Sequence, residues 1–125
     1  MAAPPRTERL ARAQRLARRA DFLTVQERGR RVSGSSYLLL ALARPQPPAG
    51  GRARLGITVS KKVGKAVVRN RVKRWVRESY RRLAALAPEG VDLVVVARPS
   101  AAEGSLAGTM GELRSLLRRL PKAAA

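Results

Sequence analysis

The chain has 125 residues, of which 27 are Lys or Arg and 8 are Asp or Glu, giving a formal net charge of +19. That length suits one domain with a modest core and is short for two. With no Cys and no His, disulfides, thiolate chemistry, zinc fingers and histidine acid–base catalysis are excluded. A charge excess of this size repels itself in a compact monomer, which points to a polyanionic partner.

Residues 1–14 hold many Arg and few large apolar side chains, and they read as a flexible basic tail. The tail lacks the apolar run and cleavage site of a signal peptide. Nowhere does the sequence hold the ~18 apolar residues that a membrane-spanning helix needs. A cytoplasmic protein with no membrane partner is the economical reading.

One domain is expected over 15–120, with a short C-terminal tail at 121–125. Leu16, Ala20, Leu23 and Val25 indicate a short first helix with Asp21 near its start and Gly29 closing it. Phe22 lies off that apolar spacing. A short strand around Arg31–Ser33 is weakly signalled. Tyr37 to Ala43 is almost continuously apolar and reads as a buried strand. The Pro- and Gly-rich stretch from Arg44 to Gly51 is a connection, and Arg54 to Ser60 alternates as a further strand.

A long helix is expected from near Ala66 to about Ala87, stopped by Pro88 and Gly90. Val68, Val72, Trp75, Val76, Ser79, Leu83 and Leu86 fall within an arc of about 100°, the width of a core-facing stripe. Trp75 therefore reads as core, with Tyr80 at the edge of the arc. Val91 to Ala97 is the clearest central strand, and Leu106 to Leu120 carries Met110, Leu113, Leu116, Leu117 and Leu120 at helical spacing. The expected class is an α/β (α+β) two-layer sandwich with a four-stranded sheet, in the order α-β-β-β-α-β-α.

The acids are scattered, and none makes the close sequence pair that binds catalytic magnesium. No Gly-x-x-x-x-Gly-Lys-Ser/Thr loop is present. No catalytic residue and no protein metal ligand can be named, and an autonomous active site is not expected. The segment from Lys61 to Arg82 is different: cations stand at 61, 62, 65, 69, 71, 73, 74, 77, 81 and 82 against one acid, Glu78. Such a cluster displaces counterions from nucleic-acid phosphates and binds in a salt-sensitive way. A solvated charged face is the bland alternative, but such faces normally mix both signs. Asn70 adds a neutral donor and acceptor able to meet a base edge or a ribose hydroxyl. Aromatic residues make up only 3% of the chain, which disfavours a binder built mainly on base stacking.

From Gly56 to Glu78 the residues read Gly-Ile-Thr-Val-Ser-Lys-Lys-Val-Gly-Lys-Ala-Val-Val-Arg-Asn-Arg-Val-Lys-Arg-Trp-Val-Arg-Glu. This run closely resembles the RNR signature of the bacterial ribonuclease P protein subunit. Arg15-Leu16 and Asp21-Phe22 upstream, with Asp92 to Arg98 downstream, resemble that family too. The resemblance implies a protein that binds the catalytic ribonuclease P RNA and assists removal of 5′ leaders from precursor tRNA, with catalysis carried by the RNA. It places Arg69, Asn70, Arg71, Lys73, Arg74 and Arg77 against the RNA subunit, with Lys61, Lys62 and Lys65 extending the surface.

It also implies a cleft between the first helix and the sheet for the single-stranded leader, at Arg18, Phe22, Leu38, Leu40 and Thr58. Gln26 and Leu40 stand where the family often carries aromatics. No cofactor is expected on the protein alone, and Mg2+ is expected in the RNA-containing holoenzyme. No obligatory protein partner is implied. The family fold is similar to domain 2 of ribosomal protein S5, with a left-handed β-α-β crossover where a right-handed one is the default. Besides this reading stand a structural RNA-binding protein, an autonomous nuclease and a DNA-binding architectural protein.

Overall fold

Val91–Ala97 is apolar at every position except Asp92 and is buried along nearly its whole length, because layers of side chains cover it on both faces. It is one of the two interior strands of the sheet in the structure, a computed structural model that describes residues 15–45 and 51–120. The expected tails at 1–14 and 121–125, and much of the Pro-rich connection, lie outside the described residues. The elements are α1 (Arg19–Arg28), β1 (Arg30–Ser33), β2 (Tyr37–Ala43), β3 (Arg54–Thr58), α2 (Ala66–Leu83), β4 (Val91–Ala97) and α3 (Leu106–Arg118). Short 3₁₀ turns occupy Lys61–Val63, Ala84–Leu86 and Pro99–Glu103.

The sheet order is β1-β2-β4-β3, with β4 antiparallel to β2 and parallel to β3. Helix α2 forms the crossover between the two parallel strands, and the whole is the expected mixed α/β sandwich. Side-chain alternation divides the sheet into two faces. Tyr37, Leu39 and Ala41 of β2, with Leu93 and Val95 of β4, pack against Val72, Val76, Tyr80 and Leu83 of α2 and Leu113, Leu116 and Leu117 of α3. On the other face Leu38, Leu40, Leu42, Val94 and Val96 meet Leu16, Phe22 and Val25. Helix α1 therefore lies across part of the face opposite the main helical layer.

Several local expectations need correction. Leu16 precedes α1: its N–H donates to Leu55 O at 2.9 Å, and Arg15 bridges Leu55 along the outer side of β3. Leu23 is 46% exposed whereas Val25 is buried; two residues advance a helix by about 200°, so the pair cannot share a face. Phe22 is the side chain turned to the sheet. At the other end of α2, the helix tightens into 3₁₀ after Leu83, which rotates Leu86 out of the stripe and leaves it 39% exposed. Tyr80, at the edge of the expected arc, is instead fully buried.

Glycines mark the start of α2 and the turn into β4. Gly64 has φ of 154°, which separates the 3₁₀ turn from the helix, and Lys65 in extended conformation is the N-cap. Gly90 has φ of 71°; its N–H donates to Gly51 O and its carbonyl accepts from Arg44 N, both at 2.9 Å. A side chain would strain either position. Helix α3 is tied to the start of β2 through Glu112, whose carboxylate accepts from Ser36 N at 2.9 Å and Tyr37 N at 2.8 Å.

Candidate nucleic-acid interface

With Val72, Val76, Tyr80 and Leu83 anchoring α2, the remaining positions divide into two flanks. Rotation of about 100° per residue puts Lys73, Arg77, Asn70 and Arg74 on one flank and Trp75, Arg82 and Arg71 on the other. The first flank passes the outer edge of β3. There Arg77 lies close enough to Arg15 for the two charges to interact, and burial first and that neighbouring guanidinium second hold Arg77 below its ordinary pKa. Arg74 and Asn70 are exposed.

Arg69 has a different local task. Its Nε donates to Gly64 O at 3.1 Å, which ties the helix to the preceding turn. That turn carries Lys61 and Lys62, both exposed, and Ser60 Oγ accepts from Lys62 N at 3.3 Å. Lys65 completes a group of three lysines around the N-terminus of α2, whose first turn contains no acid. Helix-end amides and ammonium groups together favour an anion there.

Arg71 stands apart from the other motif cations. Its guanidinium lies 5.4 Å from the centroid of the Trp75 ring, and its Nη2 donates to Ala102 O at 3.4 Å. The far end of the cation run is neutralised: Arg81 and Arg82 each donate to Glu78 Oε2, at 2.8 and 2.9 Å. The uncompensated charge is thus concentrated in the first three turns of α2 and the turn before it.

The expected cleft lies on the opposite face of the sheet. Phe22 rests on Gly56, where a Cβ would come within 2.5 Å of its ring; a glycine inside a strand marks such a close approach. Asp21, the residue before it, is 3.6 Å from Arg54 Nη2, and Arg54 Nε and Nη2 donate to Asp92 at 2.7 and 2.8 Å. This chain of ionic contacts seats the first turn of α1 on the sheet and so orients Phe22.

Register places Leu38, Val96 and Thr58 in one row across the sheet, all partly exposed. The next row is Leu40, Val94 and Gly56, where Leu40 is 2% exposed and Val94 is fully buried. Leu40, expected to line the cleft, lies beneath α1 and supports its floor, because α1 crosses the sheet at that row. Arg18 is exposed and is the N-cap of α1. The RNR cations and the cleft therefore occupy opposite faces, and they approach each other along the edge of β3, where Arg15 lies. The seat provided by Gly56 was legible as an isolated Gly within a strand pattern; Arg15 was marked only by the family resemblance of Arg15-Leu16, which says nothing of its place beside Arg77.

The described carboxylates offer no metal cage. Asp92 and Asp21 face Arg54, Glu78 clasps two arginines and Glu112 accepts from backbone amides, and no group of three or more His, Cys, Asp or Glu converges among the described residues.

A mixed α/β domain with a strongly cationic helix on one face and a partly exposed apolar row on the other belongs to the class of small basic domains suited to a polyanionic partner. The sequence model of ribonuclease P matches residues 10–121, and the chain belongs to the bacterial ribonuclease P protein family. The ribonuclease P protein component of Desulfovibrio desulfuricans is 47% identical over 115 residues, covering 90% of this chain and 87% of that one. That of Gluconacetobacter diazotrophicus is 45% identical over 109 residues, covering 86% and 91%. Among solved structures, the RNase P protein from Thermotoga maritima superposes with a TM-score of 0.75 at 34% identity, covering 86% of this chain and 97% of that one. The Staphylococcus aureus protein gives 0.73 at 28% identity, covering 84% and 93%. The chain is the protein component of a ribonucleoprotein endoribonuclease that processes tRNA 5′ leaders, and its family functions with the ribonuclease P RNA.

Proposed function

We propose that the α2 flank binds the ribonuclease P RNA while the α1 cleft holds the single-stranded leader of precursor tRNA. The observation that carries this reading is the meeting of the two surfaces at the edge of β3, where Arg77 of the flank stands beside Arg15. One RNA surface could then pass its substrate directly to the other. Lys61, Lys62, Lys65, Asn70, Lys73, Arg74 and Arg77 make the phosphate and ribose contacts. Arg69 holds the turn on which the lysines stand. Arg71 joins this surface from the Trp75 side.

Phe22 offers its ring to a leader base, with Leu38 and Val96 as an apolar floor, the Thr58 hydroxyl at its end and Arg18 for charge. Stacking of this kind contributes ~1–3 kcal/mol per base. Hydrolysis belongs to the RNA subunit with Mg2+ held by RNA phosphates, and the protein supplies affinity and alignment in the cytoplasm.

Reconstituted cleavage of precursor tRNA at low Mg2+ tests the reading. Adding the protein to the RNA subunit raises the rate, and rigorously RNA-free protein cleaves nothing. An unchanged rate would leave only a structural RNA-binding role. Competition by duplex DNA equal to that by structured RNA would point to an architectural DNA binder.

A further inference from the structure

The cleft face of the sheet extends beyond β2. Arg31 pairs with Leu40 and Ser33 with Leu38 across the antiparallel β1–β2 ladder. Directly paired residues share a face, so Arg31 and Ser33 project on the same side as the cleft, and both are exposed. Across the four strands one row becomes Ser33, Leu38, Val96 and Thr58, and the next becomes Arg31, Leu40, Val94 and Gly56. Phe22 covers the Gly56 end of the second row, and Arg31 stands at the other end.

Three strand spacings of ~4.8 Å separate the two ends by about 14 Å. Between them α1 covers Leu40 and Val94, so the open passage runs along the partly exposed Val96 and Leu38. Arg31 forms no ion pair with a described residue. Charged side chains on edge strands also deter edge-to-edge pairing, a task that either arginine of β1 could perform. Arg30, paired with Ala41, belongs to the helical face instead and cannot reach the cleft.

We propose that Arg31 is the distal anchor of the leader, its guanidinium clasping a backbone phosphate after the strand has crossed the sheet from Phe22. An unstacked strand crosses that gap within a few nucleotides, so the anchored phosphate lies a few nucleotides beyond the base on Phe22. The proposal rests on the reading of the cleft as the leader site, and it assigns that site a length: short leaders end before Arg31.

The test uses holoenzyme reconstituted with the wild-type protein or with Arg31→Ala, Arg31→Lys, Arg30→Ala or Phe22→Ala. Dissociation constants are measured for precursor tRNAs carrying two- or eight-nucleotide leaders over a range of salt. Arg31→Ala weakens binding of the eight-nucleotide leader by about tenfold or more, the loss of one charge-assisted contact, and leaves the two-nucleotide leader unchanged. Its salt slope on the long leader falls by about 0.7. Arg31→Lys retains most of the affinity, and Arg30→Ala behaves as wild type.

Equal losses on both leaders, no loss on the long one, or the same loss from Arg30→Ala would each overturn the anchor. If Phe22→Ala discriminates between the leaders and Arg31→Ala does not, only the anchor fails. If Phe22→Ala shows no discrimination, the cleft reading fails and takes the anchor with it.

Discussion

Phe22 owes its place to the side chain that Gly56 lacks, so the two residues form one device. Gly56→Ala introduces a Cβ within 2.5 Å of the ring and pushes the aromatic off the sheet. We expect weaker precursor binding with affinity for mature tRNA unchanged, measured by competition for the holoenzyme; equal changes in both would make Phe22 a packing residue alone. Among the cations, Arg74 is exposed whereas Arg69 is tied to Gly64 O. Arg74→Ala should therefore lower the slope of log affinity against log salt for the RNA subunit by about one phosphate contact, ~0.7–0.9, without changing thermal stability. Arg69→Ala should lower both affinity and melting temperature, because it also frees the turn that carries Lys61 and Lys62.

At the scale of elements, α2 and β4 were legible because each repeats one signal many times over, an apolar stripe of helical period in one and a continuous apolar run in the other. Helix α1 was legible only as a helix. Val25 is its one fully buried residue; of the expected set Leu16, Ala20, Leu23 and Val25, Leu16 and Val25 are buried whereas Ala20 and Leu23 are exposed. Leu40 was placed in the cleft by the family resemblance, and which row of β2 is covered depends on where α1 crosses, which the spacing did not show. Helix α3 depends on a contact that no periodicity reveals, the Glu112 carboxylate receiving two amides from the start of β2. Glu112→Ala leaves those part-buried donors without their acceptor and should cost about 1–3 kcal/mol in denaturant unfolding; a change under half of that would mean that water replaces the carboxylate.

At the scale of the molecule, the parallel pairing of β3 with β4 and the position of β2 between β1 and β4 are non-local, and the sequence pattern offers only strands without neighbours. What composition did convey was the burden of charge, and the structure shows its distribution: a free half and a clasped half of α2, with Glu78 at the division. The two tyrosines give the fold an alkaline limit. Burial lifts Tyr80 to about 12, and burial likewise raises Tyr37 despite its hydrogen bond with Thr109. A group whose pKa is raised on folding contributes stability that is fully present below its unfolded value of ~10 and is lost as the pH climbs through its folded value. Stability should therefore hold to about pH 10 and decline towards pH 12, with phenolate absorbance appearing together with loss of helical circular dichroism. Phenolate forming near pH 10 in a fully folded protein would contradict the burial of both rings.

The contact between Arg71 and Trp75 gives the molecule its own optical gauge. The chain has one tryptophan, and the cation over its ring belongs to the motif proposed to bind RNA. A phosphate that draws the guanidinium away alters the field at the indole, so emission should change in step with occupancy of the α2 flank and stay constant when only the leader cleft fills. Titrating the protein with the RNA subunit and, separately, with a leader oligonucleotide would distinguish the two events without any attached dye.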